Sequence, residues 1–216
     1  NYINKFNHLQ FYTDPEIQGL KLEAKSLEVE INKLSNEKAD LDKLIHEFGV
    51  RHSTELGEII KHILRVRTEN AKGTPQEEET KKEYNDYNDH YESNKEETIM
   101  DLTDDEKREL KLKYRKASKL CHPDVVNEYQ KEAAERLFAE LNTAYERNDL
   151  KKVSEILNNL ENGDFFARKS DSISEKQILK AEINKMRIRI KELKEQLQSI
   201  KESEAYKTIS SINNWD

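Results

Sequence analysis

The sequence predicts an all-α protein in which a short antiparallel helical hairpin is flanked by long coiled-coil helices. Charged residues make up 38% of the 216 residues and hydrophobic residues only 34%, which is too polar for one thick globular core. Five glycines and three prolines leave few turns. In addition, two stretches repeat apolar residues in alternating steps of four and three, the heptad spacing of coiled coils.

The first heptad stretch follows Thr13 and Asp14, either of which can cap a helix, and Pro15 suits the first turn. Lys38 occupies one a position. We expect a helix over residues 15–48, which Gly49 bends or ends. Its heptad positions are Leu20, Ala24, Leu27, Ile31, Leu34, Lys38, Leu41, Ile45 and Phe48.

A short second helix is predicted to complete the N-terminal region, residues 1–70. It runs to about Thr68 and its apolar stripe is wider than a coiled-coil seam. The histidines of this region lack the regular spacing of metal ligands, so we predict no metal site. The stripe is formed by Leu56, Ile59, Ile60, Ile63 and Leu64, and the histidines are His46, His52 and His62.

Residues 71–99 have the composition of an acidic linker. Residues 76–105 contain twelve acidic residues against three lysines and almost no aliphatic side chains. Such a stretch usually stays solvated and mobile. Tyr84, Tyr87 and Tyr91 nevertheless fall at helical spacing, which leaves a short docked helix open as the alternative.

A compact helical unit is predicted over residues 100–162. Thr103 and Glu106 have capping-box spacing, so a helix should begin there and run to Cys121, before Pro123 stops it. Seven Lys or Arg residues against three acids in residues 105–120 make this helix a basic ridge. A second helix carries Ala134, Leu137, Phe138, Leu141 and Tyr145, and a third carries Leu150, Val153, Ile156, Leu157 and Leu160.

The first two of these helices should pack antiparallel through Leu110, Tyr114, Phe138 and Leu141. His122 and Asp124 would then be exposed at the tip of the hairpin, beyond its small core.

After a linker over residues 163–173, a second heptad helix is predicted over residues 174–205, followed by a tail over residues 206–216. We favour an antiparallel hairpin of the two heptad helices within one chain, holding the central unit at one end, because it satisfies both seams. Pairing of each helix with its copy in a homodimer is the alternative. The second seam is Leu179, Ile183, Met186, Ile190, Leu193, Leu197 and Ile200.

The central unit resembles the J-domain of the DnaJ family. The resemblance rests on "LKLKYRKASKLCHPD" followed by "AAERLFAELNTAYE": a tyrosine eight residues before a His-Pro-Asp triplet, a basic run, and a helix bearing Phe, Leu, Asn and Ala-Tyr. It implies a J-domain core of Leu110, Tyr114, Phe138, Leu141 and Tyr145. It also implies a co-chaperone that binds a DnaK-type chaperone and stimulates its ATP hydrolysis through His122, Pro123, Asp124, Lys111, Arg115, Lys116 and Lys119.

In that role the basic helix faces an acidic surface of the chaperone, and Asp124 pairs with a chaperone arginine. The sequence departs from the family at several points. Lys113 replaces the usual small residue, Cys121 replaces an aromatic residue, and Val125 and Val126 replace basic and polar residues. The family's first helix, with its aromatic-Leu-Gly pattern, is missing before Thr103.

These features favour a co-chaperone over an enzyme, and no cofactor is expected. The net charge of −7 argues against nucleic-acid binding. One cysteine and the lack of a run of about 18 apolar residues predict a cytoplasmic protein without a membrane segment. Because the sequence begins with Asn1 and not with methionine, the removal of an N-terminal segment is an open alternative.

The alternative function is a coiled-coil adaptor or scaffold whose degenerate J-like domain does not activate a chaperone. In either case the coiled coils would select the client or the location. A further hypothesis is regulatory: the acidic linker folds over the basic ridge and competes with the chaperone.

Overall fold

The computed structural model describes residues 14–95, 99–163, 166–173 and 175–213. Within these ranges the chain forms eight α-helices and no β-strand, so the predicted all-α class is confirmed. A 3-10 turn, Glu128–Gln130, precedes the fourth helix. The helices are α1 (Pro15–Asn70), α2 (Glu77–Lys95), α3 (Asp104–Cys121), α4 (Lys131–Glu146), α5 (Leu150–Asn162), α6 (Lys169–Ser172), α7 (Lys176–Glu202) and α8 (Glu204–Asn213).

Helix α1 is one continuous helix of 56 residues. The Asp14 carboxylate caps it by accepting a hydrogen bond from the Glu16 N–H at 2.9 Å. The predicted break at Gly49, with a separate short second helix after it, is wrong. A glycine inside a helix costs about 1 kcal/mol relative to alanine, and burial of the Val50 side chain next to it offsets that cost.

Helix α2 occupies the stretch that was predicted to be a mobile acidic linker, and that prediction is wrong. It runs antiparallel to the C-terminal half of α1, where Lys61 pairs with Glu92 at 2.8 Å and Arg67 with Glu83 at 3.1 Å. Tyr91 is buried in this contact, as the alternative of a docked tyrosine-bearing helix anticipated. The acidic segment therefore lies along α1 and not over the basic ridge.

Helix α7 lies parallel to α1, which contradicts the predicted antiparallel hairpin. The residue numbers of the ion-paired side chains increase together along the two helices, in steps of seven on each helix. In heptad notation the ion pairs link g positions of α1, which precede a, to e positions of α7, which follow d. The four pairs are Glu16 with Lys180, Glu23 with Arg187, Glu30 with Lys194, and Glu37 with Lys201.

Two separate hydrophobic clusters form the cores. Between α1 and α7 the buried residues include Ala24, Ile31, Leu34, Leu179, Ile183, Met186, Ile190, Leu193 and Leu197. The second cluster lies within the central unit, defined here as α3 to α5, and includes Leu110, Tyr114, Ala117, Cys121, Leu141, Tyr145, Val153, Ile156, Leu157 and Leu160. The predicted hairpin of α3 and α4 therefore has its own core, and α5 packs against both helices to complete it.

The central unit lies along one side of the α1–α7 pair and not at its end, since its loop contacts Ser35 of α1 and Arg189 of α7, which both lie within the paired stretch. The predicted linker over residues 163–173 is docked: Asn127 N–H donates to the Ala167 carbonyl at 2.8 Å and Lys169 N–H to the Val125 carbonyl at 3.1 Å. Part of the predicted tail is the helix α8, in which Ile209 is buried. The last residues, 214–216, lie outside the described part of the chain.

Gly57 tests the packing of α2 on α1. A methyl group at this position would overlap the Tyr91 ring. We expect Gly57→Ala to lower the free energy of unfolding by about 1–3 kcal/mol through overpacking, even though alanine is the better helix former. Chemical denaturation followed by circular dichroism would measure this change.

Gly19→Ala is the matched control, because no neighbouring atom lies within 4 Å of the added methyl group. This substitution on the same helix should raise the free energy of unfolding by up to about 1 kcal/mol. A stabilising effect of both substitutions would contradict the close contact between Gly57 and Tyr91.

Candidate functional site: the loop between α3 and α4

The loop between α3 and α4 carries the His-Pro-Asp triplet. Helix α3 starts with the predicted capping box, in which Thr103 accepts from the Glu106 N–H at 3.3 Å and the Glu106 carboxylate accepts from the Thr103 N–H at 2.8 Å. It ends at Cys121, because Pro123 forces His122 into an extended conformation with φ −65° and ψ 120°. This ending turns the chain toward α1 and α7.

His122 is buried, with 2% of its surface exposed, so the predicted display of this residue at an exposed tip is wrong. Its Nε2 lies 2.8 Å from Ser35 Oγ in α1. Its ring packs against Phe138 of α4, with ring centroids 4.7 Å apart. The histidine therefore fills a seat formed jointly by the central unit and the long helix.

The hydrogen bonds of His122 define a neutral ring. Nδ1 accepts a hydrogen bond from the Asp124 N–H at 3.2 Å, so the ring proton is on Nε2, which donates to Ser35 Oγ. Burial lowers the pKa of His122 to about 4, because desolvation and the nearby Arg189 cation outweigh the attraction of Asp124. At neutral pH the seat holds an uncharged histidine.

Asp124 is also held by the helix pair. Its carboxylate accepts a hydrogen bond from Arg189 Nε of α7 at 2.7 Å, and its side chain is 24% exposed. Pro123, between the two, is half-buried. Both polar members of the triplet thus have their closest side-chain partners within this chain, one on α1 and one on α7.

The basic ridge of α3 is divided between α1 and solvent. Asp40 of α1 pairs with Lys111 at 2.8 Å and with Arg115 at 3.2 Å, and its other oxygen accepts from the Tyr145 hydroxyl at 2.7 Å. Lys116 and Lys119 remain exposed. Half of the predicted chaperone-binding cations therefore face the chain's own carboxylate.

Val125 and Val126 explain one departure from the family pattern. Each is 1% exposed, and Val125 belongs to the cluster between α1 and α7. Val126 forms an isolated bridge with Arg168, whose guanidinium contacts the buried Glu28 at 3.2 Å. Apolar residues follow the triplet because this part of the loop is buried against the helix pair.

The proposed J-domain core residues lie together in the central unit. Leu110, Tyr114, Leu141 and Tyr145 are buried in its cluster, and Phe138 packs at the edge. The rings of Tyr114 and Tyr145 stack with centroids 4.0 Å apart. Helix α2 does not take the place of the family's first helix, because it packs along the C-terminal half of α1. Ala39 of α1 packs against the cluster of the central unit.

The sequence prediction missed Ser35, Asp40 and Arg189, the side chains that contact the triplet and the ridge. Ser35 is at an e position of α1 and Arg189 at a g position of α7, on the flank opposite the ion-pair ladder. Their heptad positions were visible in the sequence. Their pairing with the loop was not, because it depends on the parallel direction of α7.

Other chemistry is not indicated in the described part of the chain. No group of three or more potential ligands is placed to hold a metal ion there. Burial raises the pKa of the Cys121 thiol to about 12, which keeps it protonated and unreactive. None of the helices over residues 14–95, 99–163, 166–173 and 175–213 has the length and apolarity needed to cross a bilayer.

The buried His122 predicts a pH-dependent stability. Its pKa in the folded chain, about 4, lies below its ordinary value of 6.5, so the unfolded state binds more protons between these values. The stabilising contribution is complete above about pH 6.5 and is lost as the pH falls toward 4, by about 3 kcal/mol in total. Denaturant titrations between pH 7 and pH 4 would measure it.

A carboxyl group in the same cavity also contributes to the pH dependence, because burial raises the pKa of Glu146. His122→Gln is therefore the control, because it keeps the other groups and removes the imidazole. The variant should lose less stability than the unmutated chain over the same interval. Equal losses would contradict burial of a neutral His122.

Comparison with known families identifies the central unit. Residues 99–158, less than a third of the chain, match the family model described as the DnaJ domain. The match covers α3, the loop, α4 and most of α5, and it begins after α2. Neither the curated proteins nor the solved structures gave a match. This match identifies residues 99–158 as a DnaJ domain.

Proposed function

We propose that this protein is a co-chaperone that binds a DnaK-type chaperone through the His122-Pro123-Asp124 loop and the basic face of α3, and stimulates ATP hydrolysis by the chaperone. The observation that carries this proposal is the DnaJ domain match across the segment in which the triplet joins α3 to α4. A binding function of this kind needs no cofactor or metal.

Charge on α3 supports this proposal. Lys116 and Lys119 are exposed on the ridge, and Lys111 and Arg115 are each about half exposed despite their contact with Asp40. Cations grouped on one helix accelerate encounter with an acidic surface, while short-range contacts of the loop determine specificity. The exposed lysines can therefore initiate binding before the loop is engaged.

The loop itself must leave its seat for this function. In the structure His122 and Asp124 are bonded to Ser35 and Arg189, so a chaperone that needs them must compete with these side chains. A partner that binds only the released loop shifts the population toward that form. The α1–α7 pair, which we interpret as a coiled coil, would select the client or the location.

Burial of His122 favours a second candidate function. In an adaptor that no longer activates a chaperone, the triplet would serve as a structural joint that fixes the central unit to the helix pair. The buried Val125 suits such a joint as well. In this case the exposed surfaces of α1 and α7 would recruit other proteins.

Single-turnover ATP hydrolysis by a DnaK-type chaperone from the same organism tests the two functions. The full chain, added over a range of concentrations, should increase the hydrolysis rate several-fold, and the increase should saturate. His122→Gln should reduce the rate to that of the chaperone alone, because the substitution removes the imidazole of the triplet.

Tyr129→Ala is a suitable control, because Tyr129 lies in the 3-10 turn before α4, outside the triplet and the ridge, and is 80% exposed. It should stimulate as the unmutated chain does. The adaptor function would be supported if the hydrolysis rate stayed unchanged with the unmutated chain and also with variants that break the bonds of the loop to Ser35 and Arg189.

A further inference from the structure

The loop and the ridge contact a single surface of the helix pair, formed by Ser35, Asp40 and Arg189. We propose that this surface, called here the cover, is a built-in competitor of the chaperone: it holds the DnaJ domain in a closed form that does not stimulate ATP hydrolysis. The inference rests on the proposed function and adds its regulation.

The chemistry of the cover matches what the triplet and ridge require from a partner. Arg189 supplies a cation to Asp124 at 2.7 Å, and Asp40 supplies a carboxylate to Lys111 and Arg115 at 2.8 and 3.2 Å. A second partner cannot make these contacts at the same time, because the Asp124 side chain is three-quarters buried and His122 is almost fully buried. Binding of the cover and of the chaperone is therefore mutually exclusive.

The two flanks of the helix pair differ in the way that such a cover requires. One flank carries the ladder of ion pairs between glutamates of α1 and cations of α7. On the other flank, e positions of α1 and g positions of α7 bond to the DnaJ domain or to the segment that follows it. These bonds join Ser35 to His122, Arg189 to Asp124, Glu28 to Arg168, and Glu182 to Lys169.

The residues after the triplet also fit the closed form. Two adjacent valines would expose apolar surface to water in an exposed loop. The closed form buries both, and Val125 joins the core between α1 and α7. Burial of Val125 couples release of the loop to loss of apolar contact with the pair. The loop sequence is thus adapted to this contact.

The closed form can open without unfolding, since each part has its own core. The DnaJ domain is held together by the cluster around Tyr114 and Leu141, and the helix pair by the cluster around Ile31 and Leu193. The contacts between them include the hydrogen bonds and ion pairs of the cover, further bonds of Lys43 and Glu47 to Asn148, and apolar contacts at Val125 and Ala39. Breaking these contacts separates two intact units.

Two substitutions in the cover test this inference in the full chain. Arg189→Ala removes the cation that holds Asp124. Ser35→Glu fills the seat of His122 and places a second carboxylate near Asp124. Neither residue belongs to the triplet or the ridge, so both variants should leave the chaperone-binding groups intact while freeing the loop.

Arg187→Ala is the matched control. It removes the same side chain two residues away on the same helix, but Arg187 pairs with Glu23 on the opposite flank. This substitution weakens the helix pair by one ion pair and does not touch the DnaJ domain. Circular dichroism would verify that all variants keep their helical content.

The first measurement is hydrogen exchange of the loop amides, among which Val125 N–H donates to the His122 carbonyl and Asn127 N–H to the Ala167 carbonyl. In Arg189→Ala and Ser35→Glu these amides should exchange at least about tenfold faster than in the unmutated chain, because the loop opens more often. In Arg187→Ala they should exchange at the unmutated rate.

The second measurement is single-turnover ATP hydrolysis by the chaperone at a concentration of co-chaperone below saturation. Both cover variants should stimulate several-fold more than the unmutated chain and the Arg187→Ala control. Adding His122→Gln to either cover variant should abolish the gain. Together, faster exchange and greater stimulation would establish the cover as inhibitory.

The remaining outcomes separate the inference from the proposed function. Unchanged exchange in the cover variants would refute the closing contact. Faster exchange with stimulation equal to that of the unmutated chain would refute its inhibitory role and keep the co-chaperone function. Faster exchange with no stimulation by any variant would refute the co-chaperone function, and the inhibitory role with it.

Discussion

The parallel pairing of α1 with α7 is the constraint on which the rest of the fold depends. Glutamates at g positions of α1 face cations at e positions of α7, and these positions lie opposite each other only when two helices run in the same direction. The chain must therefore return to its starting end between the two helices. Helix α2 makes the first part of this return, and the DnaJ domain occupies the rest of it along one flank.

That flank makes the position of the loop specific. Individual ion pairs at partly exposed sites contribute about 1 kcal/mol or less, so Asp124 with Arg189 does not by itself close the domain. Burying one valine contributes about 2 kcal/mol, equivalent to about a thirtyfold change in population. Val125 thus provides much of the affinity of the contact, whereas His122, Asp124 and Asp40 determine its geometry.

Local features of the fold followed from the sequence, whereas long-range features did not. The heptad seams and the capping box at Thr103 depend on neighbouring residues, and the helices formed there. The break at Gly49 was inferred from a local preference, which packing overrode. Packing also determines the role of Gly57, because its lack of a side chain makes room for Tyr91 of α2.

The direction of α7 was in principle encoded by charge. In an antiparallel pair, g positions would face g positions, and the glutamates of α1 would meet Glu182, Arg189 and Gln196, which offer one cation among them. In the parallel pair they meet Lys180, Arg187, Lys194 and Lys201. The seam residues alone fit either direction, so the direction depends on these flanking positions. The burial of His122 and Asp124 could not be inferred without that direction, so the triplet was wrongly placed at an exposed tip.

A buried triplet is compatible with a binding function when its burial is reversible. The apparent affinity of a partner that needs the released loop is its intrinsic affinity multiplied by the fraction of chains in which the loop is free. A contact that keeps this fraction small makes the chain respond weakly to chaperone alone. Any protein that binds the α1–α7 flank more tightly when the DnaJ domain is detached raises the same fraction, and by linkage the chaperone favours binding of that protein equally. A client bound at this flank would thereby recruit the chaperone to itself.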